Sequence, residues 1–235
     1  MKQRIIFLVM TFALLFVLPV HAQNKVYQPG DIVPEQVIKK WGVKHFFTST
    51  PIPDDIFKKM QGKSFKPNCT IPRSELRYIR CLHTDKDGRT YVGEMVVNKR
   101  IAEDILSIFL QLYQAKYPIE RMRLIDHWDA NDERAMRDNN SSCFNFRFVS
   151  HTNTVSKHGK GMAVDINTLY NPYHKRLKNG KEVTEPMTGK AYLNRKLSHP
   201  YMIQRGDLCY RLFIQKGFRW GGDWKNSKDY QHFER

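Results

Sequence analysis

Two histidines and one aspartate in the last third of the chain have the side chains best suited to chemistry. His158 and Asp165 lie close together in the sequence, and His232 follows after a long gap. Imidazole nitrogens and a carboxylate oxygen are ligands that suit zinc, and three protein ligands leave the fourth position of a tetrahedral ion open for water. The three residues therefore predict a zinc site of the kind that hydrolyses a substrate.

Asp229 lies three positions before His232 and adds a carboxylate that could act as a base. Such a base would take a proton from water and pass it to a leaving amine. Positions three apart on a straight strand point to opposite faces, so we expect a turn over 229–231 that brings Asp229 and His232 to one cavity. A structural role for each residue alone stays open, because short His and Asp spacings also arise by chance.

The segment 161–167 must position Asp165, and its alternation of apolar and polar residues predicts a strand. The face that should enter the core carries Met162, Val164 and Ile166. The opposite face carries Ala163, Asp165 and Asn167. A small residue beside the aspartate leaves the space that an open site requires.

The rest of the chain supplies elements on which this strand can pack. Apolar residues at helical spacing predict a helix over 99–116. Strands at 77–82 and 90–97 flank a turn at 85–88 and should form a hairpin. The remaining expectations are helices near 34–41, 53–61 and 204–216, strands at 119–128, 218–220 and 230–234, and a polar loop over 168–200 with a turn at Asn179–Gly180.

These elements predict an α+β fold in which a small antiparallel sheet is flanked by helices and the zinc site lies at the sheet edge. A chain of 235 residues is long enough for one compact domain with a sizeable core. We expect residues 23–90 to form an N-terminal extension packed on the core, and residues 91–235 to form the catalytic domain.

Residues 1–22 have the pattern of a secretory signal peptide. Lys2 and Arg4 precede an uncharged apolar stretch, and Val20-His21-Ala22 offers a small-residue cleavage site. A membrane anchor is the competing interpretation, because the stretch is nearly long enough to span a bilayer. Removal of the signal would leave a secreted or periplasmic protein without a stable membrane span.

An oxidising compartment favours disulfides, and the part of the chain after the signal has an even number of cysteines. Four cysteines allow three pairings, which the sequence alone leaves open. A short loop closes easily, which favours Cys69–Cys81 and leaves Cys143–Cys209 as the second bond. Free thiols are the alternative.

The formal net charge of +16 indicates an anionic partner. Nucleic acid is one class of polyanion, but the basic residues are scattered along the chain and form no aromatic-interleaved stripe. For an exported protein the anionic polymers of the cell envelope are a more accessible partner, so we expect no nucleic-acid binding.

Four motifs resemble those of the peptidoglycan-cleaving zinc peptidases. They are Ser-x-His-x-x-Gly-x-Ala-x-Asp-Ile-Asn at 156–167, Tyr-Asn-Pro-Tyr at 170–173, Gly-Phe-x-Trp-Gly-Gly-Asp-Trp at 217–224 and Asp-Tyr-Gln-His-Phe-Glu at 229–234. The family includes D-Ala-D-Ala carboxypeptidases, the vancomycin-resistance D,D-dipeptidases and L-Ala-D-Glu endopeptidases. Its metal-binding fold also resembles the hedgehog signalling domain. The resemblance covers roughly residues 136–235, and the motifs are specific in combination.

The resemblance implies roles for individual residues. His158, Asp165 and His232 would be the zinc ligands, and Asp229 would be the general acid and base. The family often has glutamate at this last position, whereas its endopeptidase branch commonly has aspartate. Arg147 would stabilise the developing oxyanion, although a surface arginine in a basic protein is the plainer interpretation. Residues expected to contact the substrate are Ser156, Asn167, Trp220 and Tyr230.

The resulting hypothesis is an exported, monomeric zinc metallopeptidase that cleaves the stem peptides of peptidoglycan. The first candidate bond is L-Ala-D-Glu, and D-Ala-D-Ala is the alternative. A non-catalytic zinc-containing module that binds cell wall would keep the ligands without needing Asp229. A secreted nuclease is a third possibility that the basic charge suggests.

Overall fold

The structure is a computed structural model that describes residues 25–149 and 152–235. The expected signal peptide at 1–22 lies outside the described residues. Within the described part of the chain, no helix is both long enough and apolar enough to cross a membrane.

Helices and strands alternate along the chain, with short 3-10 turns between several of them. The helices are α1 (Glu35–Trp41), α2 (Asp54–Met60), α3 (Ala102–Gln114), α4 (Asp132–Arg137) and α5 (Leu208–Gln215). The strands are β1 (Thr48–Thr50), β2 (Leu76–Thr84), β3 (Thr90–Asn98), β4 (Arg121–Met122), β5 (Asn140–Ser141), β6 (Ala163–Asp165), β7 (Tyr173–Arg176), β8 (Glu182–Glu185), β9 (Arg219–Trp220), β10 (Lys228–Asp229) and β11 (His232–Glu234). Mixed helices and small sheets confirm the predicted α+β class.

The longest sheet has the antiparallel order β1-β2-β3. Strands β2 and β3 pair along their whole length and confirm the predicted hairpin. Helix α3 packs on β2 through a buried apolar face that includes Ile105, Ile108 and Leu112. This face confirms the predicted amphipathic helix, since apolar residues at a spacing of three and four share one side of a helix.

The second sheet, β6-β11-β9, carries the candidate site. Its central strand β11 pairs with both neighbours in antiparallel register. Phe233 of β11 is fully buried, and its ring stacks on Phe213 of α5 with the ring centroids 4.2 Å apart. Val164 of β6 enters the same hydrophobic cluster. The apolar residues of this sheet therefore anchor it on the helices and fix the direction of its polar side chains.

The third sheet has the order β10-β7-β8. It corrects the expectation of a polar loop over 168–200, because β7 and β8 form an antiparallel hairpin around the predicted turn at Asn179–Gly180. These strands are half-exposed and polar, so they lack the apolar alternation by which a strand is recognised. They form a sheet because β7 also pairs with the distant strand β10.

Four predicted strands are shorter than expected, and the segments 119–128 and 161–167 differ most from the prediction. The segment 119–128 contains only the two-residue strand β4 and then a 3-10 turn, in which the carboxylate of Asp126 accepts hydrogen bonds from the amide and hydroxyl of Ser64. Strand β6 is limited to 163–165 because Gly161 and Asn167 have φ values of +65° and +49°. Left-handed backbone does not continue a strand, so it ends β6 on both sides.

The predicted disulfides are wrong, because all four cysteines are free thiols. Cys69 packs against the hydrophobic cluster beside α2, whereas Cys81 is buried in the main core. Cys143 lies beside Ala163, whereas Cys209 lies on α5 beside Tyr117. Cys69 and Cys81 thus lie in different hydrophobic clusters, whereas Cys143 and Cys209 both belong to the main core as free thiols.

The segment 23–90 packs on the rest of the chain over much of its described length. It supplies α1, α2, β1 and β2, and the pairing of β2 with β3 crosses position 90. An extension over 23–90 and a catalytic domain over 91–235 remain our proposal for the organisation of the chain.

Candidate metal centre

Asp165 and His232 are brought together by strand pairing. They lie directly opposite each other in the antiparallel pair of β6 and β11, and side chains of opposed residues project from the same face of a sheet. His158 comes from the turn that precedes β6 and is buried. One local pairing and one turn thus bring residues that are far apart in the sequence to a single point.

The three side chains meet at close range. Asp165 Oδ2 lies 3.2 Å from His158 Nε2, and Asp165 Oδ1 lies 3.1 Å from His232 Nδ1. The two histidine nitrogens that face the carboxylate are 3.0 Å apart. One donor atom from each residue can be chosen so that all three lie within 4.8 Å of one another. This arrangement brings the three predicted ligands together.

The other nitrogen of each imidazole faces an acceptor. His158 Nδ1 donates a hydrogen bond of 2.8 Å to the carbonyl oxygen of Cys143. A carbonyl can only accept, so Nδ1 carries a proton, and the neutral ring would offer the Nε2 lone pair to a metal. His232 Nε2 lies 3.4 Å from Glu234 Oε2. Histidines that bind metals usually donate their second N–H to such a group, so the residues present fit a zinc ion.

The protonation states of the cluster are strongly perturbed. Burial raises the pKa of Asp165, but the attraction and hydrogen bonds of His158 and His232 outweigh it and hold that pKa well below its usual range. Burial lowers the pKa of His232, yet hydrogen bonds to Asp165 and Glu234 outweigh it and raise the pKa to about 10. The carboxylate therefore stays ionised, as a metal ligand must.

Asp229 lies beside the cluster, at the end of β10. The turn at Tyr230–Gln231 separates it from β11, as predicted, so that Asp229 and His232 approach the same cavity. Its Oδ1 is buried and has no hydrogen-bond partner among the described residues. Burial raises the pKa of Asp229 to about 7; the attraction of His232 opposes this shift, and the charge of Asp165 adds to it. A carboxyl group poised near neutrality is suited to accept and release a proton.

Gly221 permits the close packing of Asp229. A Cβ atom at position 221 would lie 2.6 Å from the carbonyl oxygen of Asp229 and 2.7 Å from its Cβ. Only a residue without a side chain fits there, so the glycine motif before β10 has a direct role in placing the carboxylate.

The cluster lies in a cleft of about 680 Å³. Of the residues expected at the site, Arg147 and Ser156 also line this cleft. Arg147 Nη1 forms an ion pair of 3.2 Å with Asp132. The Ser156 hydroxyl accepts a hydrogen bond of 2.9 Å from the amide of Gly159, which shapes the turn that carries His158.

Three residues expected to contact the substrate lie elsewhere. The buried Asn167 side chain donates to the carbonyl of Pro118 and accepts from the amide of Glu120. Trp220 is 5% exposed in the core, and its indole N–H donates to the carbonyl of Tyr230. The Tyr230 ring lies under the guanidinium of Arg195, 4.3 Å from it. None of these three residues lines the cleft, and their role as substrate contacts stays a prediction.

Several residues that line the cleft were not expected there from the sequence. Those on the third sheet are Tyr173, Lys175, Val183 and Glu185, and Gln231 lies in the turn before β11. The available signal was the Asn179–Gly180 dipeptide, which favours the turn of a β-hairpin. The polar character of the segment concealed it.

The matching family covers the part of the chain that holds this cluster. A family model described as D-alanyl-D-alanine carboxypeptidase matches residues 150–235. Neither a curated protein nor a solved structure matches the chain.

Proposed function

We propose that this protein is an exported zinc metallopeptidase that hydrolyses an amide bond in peptidoglycan stem peptides. Residues 150–235 match a family model described as D-alanyl-D-alanine carboxypeptidase, which supports membership of the zinc peptidoglycan-peptidase family. The first candidate bond is L-Ala-D-Glu. The observation that carries the proposal is the convergence of His158, Asp165 and His232 within 4.8 Å in an open cleft. A buried carboxylate beside a ligand set of this type favours catalysis over a structural metal site.

Zinc bound by His158, Asp165 and His232 would supply Lewis acidity and lower the pKa of water. Asp229 would accept the proton of the attacking water and deliver it to the leaving amine, a role that fits its burial and its raised pKa. Arg147 faces the cleft with a permanent charge and would donate a hydrogen bond to the carbonyl oxygen as negative charge develops there. Its ion pair with Asp132 would hold the guanidinium in place.

D-Ala-D-Ala is the second candidate bond, because the matching family model is described as a D-alanyl-D-alanine carboxypeptidase. Aspartate at position 229 supports the first candidate, since the endopeptidase branch that the motifs resemble commonly has aspartate there. The net charge of +16, which falls to +14 when Lys2 and Arg4 leave with the signal, would help to retain an exported enzyme on anionic wall polymers, an attraction that salt should weaken.

The experiment that tests the function is mass analysis of soluble products from purified peptidoglycan incubated with the protein, with and without a chelator. Cleavage at L-Ala-D-Glu releases peptides that begin with D-Glu, whereas cleavage at D-Ala-D-Ala releases free D-Ala. Either product, lost with the chelator and restored by zinc, supports a zinc peptidase and identifies the bond. Chelator-resistant cleavage, or no cleavage by protein loaded with zinc, would reject the proposal.

A further inference from the structure

The third sheet presents one continuous face to the cleft. Asp229, Tyr173 and Glu185 occupy one row across β10, β7 and β8, because Asp229 pairs with Tyr173 and Tyr173 pairs with Glu185. Lys175 and Val183 form the next row on the same face, since side chains two residues apart on a strand share a face. All five residues line the cleft. The proposed base and Lys175 therefore belong to one wall.

Lys175 lies near enough to Asp229, the proposed base, for its side chain to reach the space beside that carboxylate. Neighbouring strands are about 4.8 Å apart and rise about 3.4 Å per residue, which places the Cα atoms of Lys175 and Asp229 roughly 8 Å apart. A lysine side chain on that face extends over the space beside the Asp229 carboxylate, which is the proposed site of proton transfer. It can reach a group attached to the residue whose amine leaves.

The charge of Lys175 has no internal partner. Within residues 25–149 and 152–235, lysine side chains form ion pairs only at Lys39, Lys63, Lys86, Lys99 and Lys216. Arg147, the other cation lining the cleft, is held by Asp132. Lys228 on β10 donates to the carbonyl of Gly222. Lys175 is thus the cation on this wall that a substrate can engage without breaking an ion pair.

Both candidate bonds leave the same anionic group next to the scissile nitrogen. D-Glu in stem peptides continues through its side-chain carboxyl, so its α-carboxylate is free, and a C-terminal D-Ala also has a free α-carboxylate. We propose that Lys175 forms a carboxylate subsite that binds the α-carboxylate of the leaving residue. This inference rests on the proposed function and adds a specificity determinant outside the motifs at 156–167 and 229–234.

The test compares two synthetic stem peptides that differ at one group. In one peptide the leaving residue has a free α-carboxylate, and in the other the same residue has an α-carboxamide. Both peptides contain the bond that the wall digest identifies as the one cleaved. We expect the zinc-loaded protein to cleave the carboxylate peptide with a kcat/KM roughly threefold to tenfold higher, the range of a solvent-exposed to partly buried charge pair. Lys175→Met should remove the preference, mainly by raising KM for the carboxylate peptide.

Two further variants test whether the preference depends on the positive charge at position 175. Lys175→Arg should restore most of the preference, because it keeps the charge. Lys178→Met removes an exposed lysine in the turn of the same hairpin and should leave the preference unchanged. An unchanged preference in Lys175→Met, with both peptides cleaved, would overturn the subsite while leaving the proposed function intact. Failure of the unsubstituted protein to cleave either peptide would count against the function itself.

Discussion

Glu234 lies two residues after His232 on β11, and its Oε2 is 3.4 Å from His232 Nε2. The opposite ring nitrogen, Nδ1, faces Asp165 at 3.1 Å. One short strand therefore supplies both a candidate metal ligand and a carboxylate that faces its second ring nitrogen, because alternate residues of a strand share a face. This geometry accounts for the two-residue spacing between His232 and Glu234 in the motif at 229–234.

Glu234→Gln should weaken zinc binding without unfolding the protein. The carboxylate fixes the ring orientation of His232 and raises the basicity of Nδ1, and loss of such an outer partner typically costs 10- to 100-fold in metal affinity or activity. Competition with a chromophoric chelator measures the affinity. Glu182→Gln, an exposed change on β8, is the matched control. Equal zinc affinities for Glu234→Gln and the control would contradict the assignment.

Asp229→Asn should separate metal binding from turnover. The amide keeps the shape of the side chain but accepts no proton, so we expect zinc content to be retained and kcat to fall by about 10²- to 10⁴-fold. Metal analysis and steady-state kinetics on the same preparation test both points. Full turnover with bound zinc would assign the proton transfer to another group and would favour a different role for Asp229.

The metal-free protein should lose stability as pH rises, partly through Asp229. Its pKa is raised to about 7 in the folded state, against about 4 in an unfolded chain. A raised pKa means that the contribution to stability is full below the unfolded value and is lost as pH rises through the folded one. Asp229→Asn removes this loss, so its free energy of unfolding relative to wild type should increase between pH 5 and pH 8.

The expected increase is on the order of 2 kcal/mol, because one pKa unit corresponds to about 1.4 kcal/mol and part of the loss already occurs below pH 5. Urea unfolding in the presence of chelator measures it at both pH values. A constant difference between the two proteins across this range would show that Asp229 does not titrate there.

The convergence of His158, Asp165 and His232 could be predicted from the sequence because the three residues lie in compact motifs. A turn between Asp229 and His232 could also be predicted. On a straight strand these two residues, three positions apart, would project from opposite faces. Helix α3 and the β2–β3 hairpin followed from local apolar periodicity. Local patterns thus identified the candidate centre and much of the core.

The cleft wall could not be predicted, because it depends on pairing between distant segments. Strand β7 becomes part of the site only when β10 pairs with it. The placement of Trp220 and Tyr230 could not be predicted either, since aromatic rings are equally suited to a groove and to a core. Here Trp220 packs in the core and Tyr230 packs against Arg195, and nothing in their local sequence distinguishes these roles.

Gly221→Ala should impair catalysis by displacing Asp229 from its place beside the cluster. The added methyl group would lie 2.6 Å from the carbonyl oxygen of Asp229, a contact that β10 can relieve only by moving. A misplacement of about 1 Å can cost about 100-fold in rate, so we expect kcat to fall sharply while zinc stays bound. Gly62→Ala, which adds a methyl group in open space at a φ of +75°, should reduce stability and leave kcat unchanged. Wild-type kcat in Gly221→Ala would show that the position of Asp229 does not limit the reaction.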